Sequence, residues 1–306
     1  MLARAGYEVA QPLPPQGQSV ITLNPAALPG YAFRTALRML AAMALSLLFT
    51  FTYATAAAKS RRAEVVLVPI LDILQSVPIL GFISVTVTFF LSMTPGHYLG
   101  AELAAVFAIF TSQAWNMAFS FYQSLRTVPV ELTEASYSLR FGSWMRFWKL
   151  EVPFAMPALI WNMMMSMSGG WFFVVASEAL SVGNTSISLP GVGSYIALAI
   201  EQRDLSAIGY AIATMLAVIL LYDQLLFRPL IAWADRFRFV QETEVAPPNS
   251  WVLKTLNRSR LVAGLVAPAA SFWSWTYRAF PRGPELMPQP AGMARPKMRG
   301  LDRFWL

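Results

Sequence analysis

Acidic and amide side chains inside long apolar runs are the residues of this sequence that could do chemistry. Asp72 and Gln75 lie one helical turn apart with Pro78 just after them, and Glu178 ends a methionine-rich apolar run. Ionisable groups at membrane depth are costly and usually mark a pathway, a proton relay or an ion pair. With no cysteine and one histidine, His97, the sequence excludes a Cys/His zinc site, a disulfide framework and a Ser-His-Asp catalytic set. We therefore predict no catalytic residue, no metal site and no cofactor.

The composition is that of a membrane protein. Hydrophobic residues make up 56% of the 306 positions and charged residues only 13%, whereas a soluble domain has about 25% charged residues. No GxxxxGK[ST] run is present, so the chain has no P-loop for ATP. The net charge of +7 lies between apolar runs rather than on one polar face, which argues against nucleic-acid binding. The predicted fold class is an all-α polytopic membrane protein.

Five apolar windows are long enough to cross a bilayer, which takes about 20 helical residues; they are 36–58, 65–92, 99–124, 153–180 and 206–227. The first window holds Arg38 near its start, and the third holds Glu102 near its entrance. Pro69 and Pro78 interrupt the second window, which predicts a kinked helix there. About five transmembrane helices are therefore expected.

Lysine and arginine are distributed unequally between the two sides of these windows. The side that holds the loop 125–152 and the tail 229–306 carries 13 of them, and the other side carries 4. Positive charges accumulate on the cytoplasmic side of membrane proteins, so this loop and this basic, proline-rich tail are predicted to be cytoplasmic. A proline-rich segment, 1–30, is then an extended outer segment, which is either translocated as a short tail or preceded by a missing helix. Residues 31–228 form the transmembrane domain.

The loop between the third and fourth windows is longer than a connection needs. After Pro129, an amphipathic helix is predicted with Leu132, Ala135 and Leu139 on one face. Gly142 interrupts it, and an aromatic and basic second piece leads into the fourth window. One interpretation is an interfacial loop anchored by tryptophan and arginine. The other is a dedicated docking segment.

This loop resembles the EAA loop of ABC-importer permeases, the inner-membrane components of binding-protein-dependent transport systems. The family pattern has Glu-Ala-Ala, a glycine four residues after the second alanine, and a proline about a dozen residues further on. Glu134, Ala135 and Ser136 match its opening, and Pro153 matches the proline. Trp144, Phe147 and Lys149 stand where the family often has tryptophan, phenylalanine and a basic residue. The chain departs from the pattern at Ser136, and at Arg140, which replaces the glycine, with Gly142 two residues later.

The resemblance implies a coupling helix that sits in a groove of a separate ATPase subunit. Glu134 would contact the ATPase, Ala135 and Ser136 would allow close approach, and Gly142 would let the chain turn. Basic side chains after the helix can pair with acidic groups at the rim of such a groove; they are Arg140, Arg146 and Lys149. ATP hydrolysis would then reside in the partner, and this chain would be non-catalytic.

The resemblance covers about residues 35–239 and is greatest for the nitrate, sulfonate and bicarbonate branch of the family. It implies a bacterial inner-membrane importer subunit that works with ABC ATPases, a periplasmic or lipoprotein solute-binding protein and a second permease half. That half would be a copy, a paralogue or a covalent continuation of the chain, and the substrate a small anion. The alternative is a secondary transporter driven by an ion gradient, although such carriers usually have more spans and inverted repeats. A membrane enzyme or scaffold is a third class, but no constellation of catalytic side chains converges.

Polar and small residues within the windows are the candidates for a translocation pathway: Asp72, Gln75, Pro78, Asn162, Ser166, Gly169, Gly170, Trp171 and Glu178. Each has a structural alternative. Asp72 could instead pair with Arg61 or Arg62 near the cytoplasmic interface, and for Glu178 a structural ion pair is favoured. The spacing of Ser166 and Gly170 permits tight helix contact.

Three further structural expectations concern polar pairs and the outer loop. Gln113 and Asn116 are expected to form interhelical hydrogen bonds, and Asp223 to pair with Arg228. In the loop between the fourth and fifth windows, a glycine pair is followed by the apolar run 195–200. A short helix that dips into the outer face is expected there.

Overall fold

The computed structural model describes residues 21–95, 97–182 and 185–237, together with Trp275. The predicted outer segment lies outside the described residues as far as position 20, and so does the predicted tail beyond Phe237 apart from Trp275. The helices are α1 Leu28–Lys59, α2 Arg61–Ser76, α3 Ile79–Met93, α4 Tyr98–Arg126, α5 Val130–Ser138, α6 Ser143–Arg146, α7 Val152–Glu178, α8 Val192–Glu201, α9 Leu205–Tyr222 and α10 Arg228–Ala234. Two strands, β1 Ala179–Val182 and β2 Thr185–Ser188, form an antiparallel hairpin in which Ala179 faces Ser188.

Four helical segments within the described residues are long and apolar enough to cross a membrane. They are Pro25–Lys59, Tyr98–Arg126, Ser143–Glu178 and Leu205–Phe237, and they coincide with the first, third, fourth and fifth predicted windows. The hairpin between α7 and α8 is the minor exception to an otherwise helical chain. The predicted fold class, an all-α polytopic membrane protein, is confirmed.

The second predicted window is a pair of helices rather than one kinked helix. Helix α2 ends at Ser76 and α3 begins at Ile79, while Val77 (φ −74°, ψ 122°) and Pro78 (φ −64°, ψ 119°) are extended. Proline has no amide hydrogen to donate, and its ring disfavours a helical conformation for the residue before it. The break therefore falls at Pro78, whereas Pro69 stays inside α2.

Helix α4 lies at the centre of the bundle, packed between α1 and α7. Its buried face is rich in alanine, from Ala101 to Ala118, and small side chains let neighbouring helix backbones approach closely. Larger side chains from all three helices fill the remaining space; among them Met39, Met117, Phe121 and Leu159 are fully buried. This core holds the loop after α4 at one end and α8 at the other. We call these the inner and outer ends, after the orientation that the lysine and arginine distribution predicts.

The outer helix α8 confirms the expected short helix after the glycine pair. It packs on α1 and α9 through Tyr195 and Ala199, which are fully buried. Asp204 then caps α9 by accepting hydrogen bonds from the amides of Ser206 and Ala207. The hydroxyl and amide donors at this cap hold the pKa of Asp204 below its usual value.

Candidate functional site

Helix α5, the first part of the loop after α4, turns one face away from the rest of the chain. Val130, Glu131, Glu134, Ala135 and Ser138 are exposed, a spacing that fits one side of a helix. The exposed fraction of Val130 is 66%. This outward face of α5 therefore combines two carboxylates with one large apolar side chain.

Ser136 lies on the opposite, inward face of α5. Its side chain is only 3% exposed, and its hydroxyl donates to the carbonyl oxygen of Thr133 at 2.6 Å. The prediction that Ser136 permits close approach of a partner is therefore wrong for this position. Ala135, next to it in the chain, is the small residue on the exposed face.

The chain turns sharply at the end of α5, and Arg140 makes the turn. Arg140 has φ 54°, a left-handed conformation that favours glycine. The amide of Arg140 donates to the carbonyl of Tyr137 at 2.8 Å, and that of Phe141 donates to the carbonyl of Ser136 at 2.9 Å. These two bonds define a Schellman motif, the usual ending of a helix at a left-handed residue.

The prediction that Gly142 lets the chain turn is also wrong. Gly142 has φ −69° and ψ 164°, an extended conformation that any residue can adopt, and it precedes the first residue of α6. The turn instead occurs at Arg140, where the family pattern has glycine. The turn thus lies at the position of the family's glycine and two residues before the predicted one.

The second part of the loop is fastened to the inner end of α1. Lys59 Nζ, at the end of α1, lies 2.9 Å from Glu151 Oε2 and 5.2 Å from the centre of the Phe147 ring. Trp148 packs against Phe51 of α1 with ring centres 6.0 Å apart. The second part of the loop and the end of α1 are therefore in direct contact.

Two of the basic side chains predicted to reach a partner are engaged within the loop. Arg146 lies 3.4 Å from Glu151 and stacks over the ring of Tyr137 at 4.9 Å. Lys149 lies 5.8 Å from the centre of the Phe141 ring. Glu151 was not among the predicted site residues, because nothing in the sequence indicated that α1 ends beside it.

The structure also locates two further residues of the predicted loop pattern, Trp144 and Pro153. Trp144 packs edge-on against Trp148, with ring centres 5.7 Å apart. Pro153 is the second residue of α7 and lies within the continuous helical segment Ser143–Glu178, directly after a π-helical turn at Phe147–Glu151.

The predicted pathway residues Asp72, Gln75 and Pro78 are exposed on α2 and at the break after it. Neither alternative pairing of Asp72, with Arg61 or with Arg62, is among the salt bridges within the part of the chain that the structure describes. These three residues therefore lie on an outward face of the molecule.

Along α7, the predicted pathway residues separate onto different faces. Ser166 and Gly170 are buried against neighbouring helices, and a Cβ at Gly170 would lie 2.6 Å from Gln113 Nε2. Their role is close helix packing, which corrects the pathway assignment for both. Gly169 is exposed with no atom within 4 Å of where its Cβ would be.

Two other predicted residues of α7 contact neighbouring helices. Asn162 donates to Ser120 Oγ at 2.8 Å. Trp171 packs edge-on against Tyr222 of α9, with ring centres 5.4 Å apart. Both side chains are half-buried, so each keeps part of its surface available.

The expected interhelical hydrogen bonds are present. Gln113 donates to Met39 Sδ at 3.3 Å, and Asn116 donates to Ser166 Oγ at 3.3 Å. At the inner end of α9, Asp223 and Arg228 form the expected pair at 3.4 Å.

Glu178 lies in a closed ion-pair cluster at the outer end of the bundle. Its carboxylate is fully buried and accepts hydrogen bonds from Arg38 Nη1 at 2.7 Å, from Thr35 Oγ1 at 2.6 Å and from the amide of Gly193 at 2.6 Å. Arg38 also donates to both carboxylate oxygens of Glu102, each at 2.6 Å. We call these five residues the outer ion-pair cluster.

This cluster corrects the pathway assignment for Glu178 in favour of the structural ion pair. A carboxylate with no exposed surface and three donors cannot face a passing solute. Sequence reasoning missed Thr35 and did not connect the lone Arg38 and Glu102. Two opposite charges, each alone near the same end of a different apolar window, were a signal that could have paired them.

Gly191, before α8, and Gly193, within it, lie where a side chain would clash with neighbouring atoms. A Cβ at Gly191 would lie 2.2 Å from Glu178 Cδ, and one at Gly193 would lie 2.3 Å from the carbonyl oxygen of Val175. The hydroxyl of Ser194 also donates to the carbonyl of Glu178 at 2.5 Å. Helix α8 is thereby held against both α1 and α7.

The described residues thus form a bundle of apolar helices with an outward-facing helix, α5, between the spans Tyr98–Arg126 and Ser143–Glu178. The family of binding-protein-dependent transport system inner membrane components matches residues 49–226, more than half of the chain. The chain belongs to this family, and the predicted resemblance is confirmed.

Similar proteins are bicarbonate transport system permeases. The chain is 23% identical over 178 residues to the permease protein CmpB of Synechococcus elongatus, which covers 58% of each protein. It is 26% identical over 121 residues to the CmpB protein of Synechocystis sp., which covers 40% of this chain and 41% of that protein. The match thus spans 58% of the length of the first relative and 41% of the second, and it places the chain within the nitrate and bicarbonate branch.

Proposed function

We propose that this chain is a permease half of an ATP-driven importer and that α5 is its coupling helix. The observation that carries the proposal is the position of α5, which presents carboxylates and apolar side chains outward while the rest of its loop is fastened to α1. A helix that docks on a moving ATPase needs both features, because it must bind a partner and transmit displacement to the membrane helices. Family membership supports the same function.

In this proposal, closure of two ATPase subunits around nucleotide moves α5, and the movement reaches the bundle by two routes. One route is the continuous segment from α6 into α7, and the other is the contact of Lys59 with Glu151 at the end of α1. The loop is placed in the cytoplasm on the strength of the lysine and arginine distribution. Rocking of the bundle would then alternate access to the pathway.

The pathway requires a second permease half, because this chain packs its polar residues inward between α1, α4 and α7. We place the pathway along the exposed face of α7 around Gly169, with Trp171 and Asn162 beside it, and along α2 with Asp72 and Gln75. The remaining partners are two ABC ATPases and a solute-binding protein. The names of the relatives support a small anion such as bicarbonate as the substrate.

Cysteine crosslinking tests the coupling assignment cleanly, because the chain has no native cysteine. Ala135→Cys places a thiol on the exposed face of α5, and Ser136→Cys is the matched control on its buried face. Each is expressed in membranes with the P-loop ATPase encoded by a neighbouring reading frame, carrying a cysteine in its membrane-facing groove. We expect Ala135→Cys to crosslink in a nucleotide-dependent manner and Ser136→Cys to crosslink far less.

A third variant, His97→Cys, reports from the exposed turn before α4, at the opposite end of that helix. It is expected not to crosslink to the ATPase. Crosslinking from His97→Cys with none from Ala135→Cys in inserted protein would contradict the proposal, and a carrier driven by an ion gradient would then be the function to pursue.

A further inference from the structure

We propose that Arg140 is a specificity contact for the ATPase, and that the ATPase groove carries a carboxylate facing the end of α5. The inference rests on the proposed coupling function and adds the chemistry of the surface that the partner must present. Arg140 stands at the one position of the loop where this chain replaces the family's glycine with a charged residue.

The outward face of α5 carries negative charge on the helix and positive charge just beyond its end. Glu131 and Glu134 are exposed in its first half, and Arg140 is exposed immediately beyond its end. The helix itself spans about 13 Å, so the two signs of charge are well separated. Val130 and Leu139, each 66% exposed, stand beside the two ends and supply the apolar part of the surface.

The backbone at Arg140 ends the helix. A left-handed residue at this position terminates α5, so the Arg140 side chain leaves the backbone beyond the last helical residue, Ser138. This conformation is disfavoured for any side chain with a Cβ. Arginine therefore stands at a position where glycine would suit the backbone better.

Three other basic residues on this side of the molecule form ion pairs within the chain. Arg126 pairs with Glu64 at 3.6 Å, and Arg146 and Lys59 both pair with Glu151. The salt bridges among residues 21–95, 97–182 and 185–237 do not include Arg140. Its charge is thus available to a partner at the end of the docking helix.

The matching ATPase surface follows by complementarity. An apolar floor would receive Val130 and Leu139, a basic group would face the acidic half of α5, and a carboxylate would face Arg140. Charges at the rim of an interface contribute more to partner choice and association rate than to total affinity. Arg140 therefore selects among ATPases that all fit the same helix.

The chain provides a matched control for the test. Arg203 has φ 53°, and the amides of Arg203 and Asp204 donate to the carbonyls of Ile200 and Ala199 in the same motif at the end of α8. Arg140→Gly and Arg203→Gly thus relieve the same backbone strain at opposite ends of the molecule. Both variants of the full chain are purified in nanodiscs and tested for binding of the ATPase encoded by the neighbouring reading frame.

We expect Arg140→Gly to weaken ATPase binding about 3- to 10-fold at low salt, with a smaller difference at high salt. Arg140→Asn, which tolerates the left-handed conformation without a charge, should behave in the same way. Arg203→Gly should bind like the parent protein, and neither glycine variant should unfold at a lower temperature. An ATPase variant with lysine in place of the facing carboxylate should regain binding to Arg140→Glu.

Equal binding by the parent and Arg140→Gly, or equal loss in Arg140→Gly and Arg203→Gly, would overturn the proposal. Ala135→Trp separates this failure from failure of the coupling function, since it places a bulky side chain on the same exposed face. If Ala135→Trp abolishes ATPase binding while Arg140→Gly does not, α5 docks and Arg140 is not a determinant. If neither variant changes binding, the docking surface itself is refuted.

Discussion

At the scale of single residues, substitutions in the outer ion-pair cluster are expected to lower the free energy of unfolding most. Arg38 is 4% exposed and Glu178 is fully buried, so each charge relies on the other rather than on water. A buried ion pair contributes little net stability, but removal of one partner leaves an uncompensated buried charge. The cluster is therefore fragile to single substitutions.

Arg38→Met tests this dependence. We expect a loss of about 3–5 kcal/mol in the free energy of unfolding, because Glu178 would keep its burial and lose its counter-charge. Arg228→Met is the control, since its pair with Asp223 is exposed and should matter by about 1 kcal/mol or less. Denaturant titration in detergent, followed by tryptophan fluorescence, measures both. Equal losses in the two variants would contradict the burial argument.

At the scale of elements, small residues decide how closely helices and loops approach. Gly170 lets α4 and α1 pack against α7, and Gly193 lets the start of α8 lie against the end of α7. Gly169, beside Gly170 in the sequence, faces open space. Neighbouring glycines of one sequence pattern therefore have unequal roles.

Alanine substitution should have opposite effects on stability at the buried Gly193 and at the exposed Gly169. Gly193→Ala is expected to lower the thermal unfolding temperature, because its Cβ would lie 2.3 Å from the carbonyl oxygen of Val175 and force α8 away. Gly169→Ala should instead be neutral or stabilise by about 0.5–1 kcal/mol, as alanine is the better helix former. A thermal shift assay on the two purified variants checks the opposite signs. The same sign for both would be evidence against the packing described.

At the scale of the whole molecule, the exposed surface is apolar along α9 and charged on α5. Helix α9 leaves Leu205 82% exposed and Ile212 59% exposed, and Glu131 and Glu134 are exposed on α5. Between these surfaces lies a packed core with α8 at one end and the loop after α4 at the other. Under the proposed function, this core would carry movement of α5 to the spans.

Lys59→Ala tests whether the contact with Glu151 transmits that movement. We expect the ATPase to bind this variant within about twofold of the parent, while hydrolysis stimulated by the solute-loaded binding protein falls about 2- to 5-fold. Arg126→Ala removes a longer, half-exposed pair with Glu64 on the same side and serves as the control. Exchange of the charges in a Lys59→Glu, Glu151→Lys double variant should restore stimulation. Unchanged stimulation in Lys59→Ala would exclude this route.

Four of the five apolar windows followed from the sequence alone, and so did an interruption of the second window by proline, although a kink rather than a break was predicted. Long uncharged runs and proline geometry are local properties, so their consequences do not depend on distant residues. The pairing of Asp223 with Arg228 was predictable for the same reason, because the two lie close together in the chain. The docking role of Glu134 and Ala135 stays a prediction, and both side chains are exposed on α5.

Tertiary structure alone decided which side of each helix is buried. Ser136 and Ala135 are adjacent in sequence, yet one faces the chain and the other faces outward. In the sequence, Glu178 is a lone charge in an apolar run. In the structure, α1 and α4 bring Arg38, Thr35 and Glu102 to it, and these residues lie far apart in the chain. In a membrane, lipid and protein neighbours are equally apolar, so hydrophobic pattern does not distinguish them and only the packed bundle does.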